Sequence, residues 1–231
     1  MTRDLDSLGA EIIACKRCPR LVRCRERAAT APPKRFTGAS YWARPITGFG
    51  DPGARLLVVG LAPAANGGNR TGRVFTGDRS GDWLYGALHR AGYANQPTSS
   101  AANDGLVLTD AYVTTVVRCA PPDNKPSTAE RDRCIRYFVR ELGLLPAVTA
   151  IVALGGFAWE GVLLAARALD LEVTKPKPRF GHGATARIGA WTMIGSYHVS
   201  QQNTFTGKLT EPMLDAVFSR ARAVTSGSRR E

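Results

Sequence analysis

The sequence predicts an α/β fold: a single three-layer α/β/α domain over residues 1–231 with a mostly parallel central sheet. Three observations predict it. Short apolar runs near residues 55–60, 106–118, 148–154 and 190–197 have the length and β-branched content of buried strands. Segments with helical spacing separate them, as parallel strands require. The 231 residues, 44% of them hydrophobic, are enough for one core of this kind.

Each element follows in order. Residues 1–14 read as a short helix that leads into Cys15-x-x-Cys18, within an N-terminal cysteine segment covering about 10–27. Residues 25–50 read as irregular, because Pro32, Pro33, Gly38, Pro45, Gly48 and Gly50 break any period. Leu56-Leu57-Val58-Val59 is the first strand, and it opens into the glycine-rich stretch GLAPAANGGNRTGRVFTGD, residues 60–78. A helix is predicted across 81–92, with Trp83, Leu84, Leu88 and Ala91 on its apolar face. Residues 106–118 read as a strand region, followed by the stiff loop CAPPDNKPS.

Ser127 and Glu130 form a capping box for a helix that runs to about Leu145 and carries Cys134. Val148 to Leu154 is a strand ended by Gly155-Gly156, and Phe157 to Leu169 is a helix. Residues 174–189 read as a basic loop or hairpin, and Ala190 to Tyr197 as the last strand. A polar loop, HVSQQNTFTGKLT, occupies residues 198–210. Thr210 then caps a final helix with Pro212 in its first turn. The polar tail, about 225–231, is expected to fray. There is no internal repeat.

Charge narrows the partner. Lys and Arg number 31 against 19 Asp and Glu, a formal charge of +12. Such a balance points to a polyanion, either nucleic acid or an acidic membrane surface. No apolar run approaches the length of a membrane span, and the N-terminus has acidic residues and no signal-like core. A cytoplasmic protein is expected, where a disulfide framework would be unusual.

The five cysteines are Cys15, Cys18, Cys24, Cys119 and Cys134. One tight pair and one wider pair supply four thiolates, which suits either a tetrahedral zinc or an iron–sulfur cluster. Cys24 is left over. A thioredoxin-like redox pair would follow a first strand at a helix start, whereas Cys15-x-x-Cys18 sits in a basic segment without strand character.

Two nucleotide motifs are imitated and fail. Gly48-x-Gly50-x-x-Gly53 precedes its strand and holds Pro52, so it lacks the strand–turn–helix order of a dinucleotide site. The loop after Val59 has no Gly-Lys-Ser/Thr ending, so it is not a Walker A loop.

Three loops sit where such sheets bind ligands, at the carboxyl ends of strands: GLAPA, RCAPP and HVSQQNTFTGKLT. Together the 60–78 and 198–210 stretches resemble the two signature motifs of the family 5 uracil-DNA glycosylases. The four cysteines Cys15, Cys18, Cys119 and Cys134 match that family's ligand pattern, and the resemblance runs from about Cys15 to Leu214. A uracil-restricted family 4 enzyme would carry a GEAPG-like first motif, and this chain has GLAPA.

The resemblance implies a monofunctional DNA repair glycosylase. It would flip uracil, hypoxanthine or modified pyrimidines out of duplex or single-stranded DNA and leave an abasic site. It further implies a [4Fe–4S] cluster on the four cysteines in preference to zinc. A monomer associated with a bacterial nucleoid follows as the expected setting. The runner-up is a cluster- or zinc-stabilised DNA-binding module without activity.

Roles carry over residue by residue. Phe75 matches the ring that stacks on the flipped base, and His198 the histidine that donates to the base carbonyl. Ala62 stands in the stretch where other families keep a water-activating Asp or Asn. Asp78 is therefore the candidate for orienting water or stabilising the sugar cation, or it is a helix N-cap, or both. Asn66 stands where many members have histidine, and Thr115 where relatives often read the pyrimidine edge with asparagine. Threonine cannot make that bidentate contact, which implies a less selective pocket. Gln202 and Asn203 are expected to plug the space left by the base, while Phe205 is either part of that loop's surface or core beneath it. Arg70, Arg73, Lys208 and the basic residues of 174–187 are candidate phosphate contacts.

Overall fold

A computed structural model describes residues 2–227. Its strands arise from the apolar runs. β1 (Phe49–Gly50), β2 (Leu56–Gly60), β3 (Ala111–Thr115), β4 (Ala150–Leu154), β5 (Thr185–Ile188) and β6 (Trp191–Ser196) form one sheet of order β1-β3-β2-β4-β6-β5. The four central strands are parallel, with Val58 opposite both Val113 and Val152, and Val152 opposite Ile194. Both edge strands run antiparallel. The parallel sheet expected from the sequence is thus the centre, and the edges depart from it. Every residue of β2, β3 and β4 is buried. Strands covered on both faces need no polar alternation, which is why they read as continuous apolar runs.

The helices are α1 (Thr2–Ile13), α2 (Pro19–Thr30), α3 (Gly68–Thr71), α4 (Arg79–Arg90), α5 (Thr128–Gly143), α6 (Gly156–Ala168), α7 (Gln201–Phe205) and α8 (Glu211–Gly227). Alternate residues of one strand serve opposite layers. Leu56 and Val58 pack with Leu84 and Leu88 of α4 and Phe218 of α8. Leu57 and Val59 pack with Phe138 of α5 and Trp159 and Val162 of α6. The three layers follow from that period-2 division.

The capping box at α5 forms: Glu130 N donates to Ser127 Oγ at 3.2 Å, and Ser127 N donates to Glu130 Oε2 at 2.8 Å. The same carboxylate takes Arg20 of α2, at 2.8 and 2.7 Å, and so ties the N-terminal segment to α5. α1 docks on α5 through Leu8, Ile12 and Tyr137. Below β3, Arg118 and Glu141 form a fully buried ion pair at 2.6 Å.

Three stretches differ from expectation, and one resolves an alternative. Residues 19–30 form α2, because Pro19 sets the first helical turn after the cysteine pair. The strand region 106–118 contracts to Ala111–Thr115. The basic stretch 174–189, read as a loop or hairpin, does contain β5, which pairs with β6 as a hairpin. The polar 198–210 loop holds α7, a short helix whose first turn begins after Ser200. Of the expected frayed tail, Thr225 to Gly227 is helical, and 228–231 lie outside the described residues. Among the described residues no helix is long and apolar enough to cross a membrane.

Candidate active site

The parallel centre aims three loops at one cleft. The loop after β2 contributes Ala62, Asn66, Phe75 and Asp78, the end of β3 contributes Thr115, and the segment after β6 contributes His198 and Gln202. Seven residues from three distant stretches therefore meet at the carboxyl ends of the strands.

Phe75 sits at φ 49°, an unusual backbone for a bulky residue, and its side chain is 8% exposed. The ring lies against Gly60, where an added Cβ would come within 2.6 Å of it. Its centroid is 6.2 Å from the His198 ring, at 37°. One aromatic wall and one imidazole thus face the same space. Burial pushes the His198 pKa down to about 4, so the ring is neutral at pH 7. Its nitrogens make no hydrogen bond with the described residues, and its N–H is free for a ligand. The backbone carbonyl of His198 accepts from Asn203 Nδ2 at 2.8 Å.

Asp78 is the N-cap of α4, with Oδ1 accepting from Gly81 N at 3.1 Å. Its other oxygen lies over Gly67, in space that any larger residue there would fill. Burial raises its pKa, while the Gly81 and Ser80 amides pull the other way. It is both a cap and a carboxylate on the cleft wall.

Asn66 Oδ1 accepts from the Tyr41 hydroxyl at 2.8 Å, which orients the amide. The Thr115 hydroxyl is turned to the Val117 carbonyl at 3.0 Å, so it points its proton at its own chain.

The expected phosphate contacts are placed differently. Arg73 is a correction: it is 6% exposed and its guanidinium is taken by Asp104 at 2.8 Å, Ser99 and Thr76. It holds the 99–104 loop and does not reach a phosphate. Arg70 is committed to the carbonyls of Asn66 and Gly77 at 2.9 Å and stacks on Phe36. Lys208 lies over the Tyr197 ring at 5.0 Å, beside a neighbouring pocket that shares His198. Asn203 is spent on the His198 carbonyl, whereas Gln202 is exposed. Phe205 is 64% exposed, with the Arg79 guanidinium 4.5 Å from its ring centre.

Sequence reasoning missed Arg35, Arg79 and Lys125, which line the cleft. Arg79 had a signal, being the residue after Asp78. Arg35 and Lys125 come from segments whose closeness to the cleft depends on tertiary packing.

A second constellation lies behind the cleft. Cys15, Cys18, Cys119 and Cys134 line one cavity with Arg118 and Tyr137, while Cys24 faces elsewhere. Arg25 Nη1 lies 3.3 Å from Cys119 Sγ, and the Nε atoms of Arg25 and Arg118 are buried without partners. Burial pushes the Cys119 thiol up to about 12 and Cys134 up to about 11. Thiols so placed keep their protons unless a metal takes the proton's place. Among the described residues no three His, Cys, Asp or Glu side chains converge where a single ion could sit. Four thiols share one cavity with guanidinium groups beside them, a donor set whose chemistry fits a thiolate-bound metal ion or cluster.

Comparison with known proteins agrees with this geometry. The family model described as Uracil DNA glycosylase superfamily matches residues 47–222. A type-5 uracil-DNA glycosylase of Mycobacterium tuberculosis is 52% identical over 217 residues, covering 93% of this chain and 80% of the relative. The type-5 enzyme of Thermus thermophilus is 46% identical over 220 residues, covering 95% and 97%. A type-4 enzyme of Archaeoglobus fulgidus is 29% identical over 172 residues, covering 74% and 67%. The cleft at the strand ends, its two motifs and this depth of similarity place the chain in the uracil-DNA glycosylase superfamily, among the type-5 enzymes.

Proposed function

We propose that this chain is a monofunctional DNA glycosylase that hydrolyses the N-glycosidic bond of uracil, and also accepts hypoxanthine and modified pyrimidines. The observation that carries the proposal is the pairing of Phe75 with a neutral, unbonded His198 imidazole across one cleft, with the Asp78 carboxylate on its wall. A base taken out of the stack needs an aromatic face and a donor where charge develops.

In this reading Phe75 holds the base and the His198 N–H donates to the carbonyl beside the glycosidic nitrogen. The C1′–N bond breaks, the electron pair goes to the base and the sugar becomes cationic. Asp78 stabilises that cation and orients water. Water oxygen bonds to C1′ and keeps one proton as the new hydroxyl, while its other proton passes to the released base. Because Thr115 spends its proton on Val117, position 115 offers no bidentate reader of the pyrimidine edge, which supports the wider substrate range. Gln202 and Phe205 are the side chains that α7 offers to the DNA stack.

We also propose that Cys15, Cys18, Cys119 and Cys134 hold a [4Fe–4S] cluster. It would supply cross-linking of the N-terminal segment to the sheet. The test is absorbance near 400 nm with matching iron and sulfide, and zinc alone would overturn it.

The activity is tested by alkali cleavage of labelled duplexes containing uracil, hypoxanthine or only normal bases. Excision of both lesions is expected, with slowing of roughly 10²–10³-fold in His198→Ala. No excision of either would leave a DNA-binding module. Lys125 lines the cleft, so strand scission is tested separately by borohydride trapping. No trapped adduct is expected, and an adduct lost in Lys125→Ala would overturn the monofunctional reading.

A further inference from the structure

The cleft does not stop at Asn66. A second, open groove begins there, with Ala65 and Asn66 forming a wall common to both. Its other side is α2, which presents Arg20, Arg23, Cys24 and Arg27. Those positions follow the i, i+3, i+4, i+7 spacing of one helix face. Ala28 and Ala31, small enough for a backbone to lie close, line it too, with Pro33 and Pro122.

The charges in this groove are not equivalent. Arg20 is spent on Glu130 at 2.7 Å and on the Lys125 carbonyl at 3.0 Å. Arg23 and Arg27 are exposed, and neither guanidinium has an ion pair or hydrogen bond among the described residues. One carboxylate, Glu26, also lines the groove and opposes them. A solvated helix face would carry such arginines as well, but it would not be concave or continuous with the catalytic cleft.

We propose that this groove holds the phosphate backbone of the strand that leaves the flipped nucleotide on the Asn66 side, with Arg23 and Arg27 each meeting one phosphate. The inference rests on the glycosylase reading for the position of the flipped nucleotide. Side chains four residues apart on a helix stand about 5–6 Å apart at Cβ, a spacing two flexible guanidinium groups can open toward successive phosphates. Only the flipped nucleotide leaves its partner, so the phosphates beyond it are offered to the groove by single-stranded and duplex DNA alike. The groove therefore extends the site along the lesion strand in one direction only.

The test measures equilibrium affinity, with a 2′-fluoroarabino sugar under the uracil so that the nucleotide binds without being excised. Single-stranded oligonucleotides carrying one uracil are lengthened stepwise, either 5′ or 3′ of it, and the dissociation constant is measured at several salt concentrations with the metal-loaded protein. Affinity is expected to grow with nucleotides added on one side only. Arg23→Ala/Arg27→Ala should abolish that one-sided gain and reduce the salt slope by about 1.4, two phosphates at roughly 0.7 each. Glu26→Gln should enlarge the gain, an opposite sign that a damaged fold would not produce. A one-sided gain that survives in the double variant overturns the proposal, as does a loss spread equally over both sides. Failure of the wild type to excise uracil would instead count against the glycosylase reading and leave the affinity result to judge the groove.

Discussion

The chemistry of the cleft depends on how single residues spend their hydrogen bonds. His198 is useful because its ring spends none, and Asn203 holds it there by gripping its backbone. Its depressed pKa sets a pH signature. Above the ordinary value of 6.5 the imidazole is neutral in both folded and unfolded chains. Between 6.5 and about 4 only the unfolded chain takes the proton, so stability falls as pH drops through that window. In the pH profile of kcat/KM, His198 should contribute no inflection near 6.5, and its acid limb should lie near 4. A limb near 6.5 that disappears in His198→Ala would contradict a buried neutral ring. Asp78 allows the two roles to be separated. Asn is as good an N-cap as Asp, so Asp78→Asn should change stability little while slowing excision. Equal loss of melting temperature and activity would make Asp78 a cap alone. Asp78→Ala should lose both, with the cap costing about 1 kcal/mol.

At the scale of elements, polar ties do the work that apolar packing cannot. The Arg118–Glu141 pair links the end of β3 to α5, with Thr114 Oγ1 bonded to both groups, at 2.6 Å from Arg118 and 2.7 Å to Glu141. Removing one member strands a buried charge. Arg118→Met should cost about 3–5 kcal/mol in denaturant unfolding, and adding Glu141→Leu should restore much of it. If the single variant unfolds like the wild type, the carboxylate has found another partner and the pair is not what holds α5.

The same contrast explains what was legible in the sequence. The central strands were, because doubly covered strands must be apolar throughout, and α5 was, because Ser127 and Glu130 announce it. α2 was not: its residues are basic and polar, and its helix depends on contacts such as Arg20 with Glu130, 110 residues away. The antiparallel edge β1 was hidden, since it has only two residues, whereas β5 alternates strictly and was legible as the hairpin option for 174–189. In the site, the motif residues were legible as a set because the strand ends gather them. Arg73 was misread because a motif arginine looks the same whether it meets a phosphate or a buried aspartate.

For the whole molecule, the question is why a cysteine cavity exists that shares no lining residue with the cleft. The N-terminal segment has few attachments of its own. α1 rests on Tyr137, Arg20 reaches Glu130, and Arg25 reaches Cys119. The Arg25 carbonyl accepts from Asn69 Nδ2 at 3.1 Å, and Asn69 belongs to the loop that carries Asn66 and Phe75. α2 is thus pinned between the cavity and the catalytic loop. If the four thiolates hold a cluster, losing it removes the strongest tie on residues 2–30 and leaves the sheet's two apolar layers intact. Cys18→Ser should therefore lose absorbance near 400 nm and expose α1 and α2 to limited proteolysis, while the fragment from about residue 45 onward resists. DNA affinity should fall with it, because Arg23 and Arg27 leave with α2. A Cys18→Ser protein that loses the absorbance yet keeps wild-type protease resistance and affinity would show that packing alone holds the segment, and the cavity would then need another purpose.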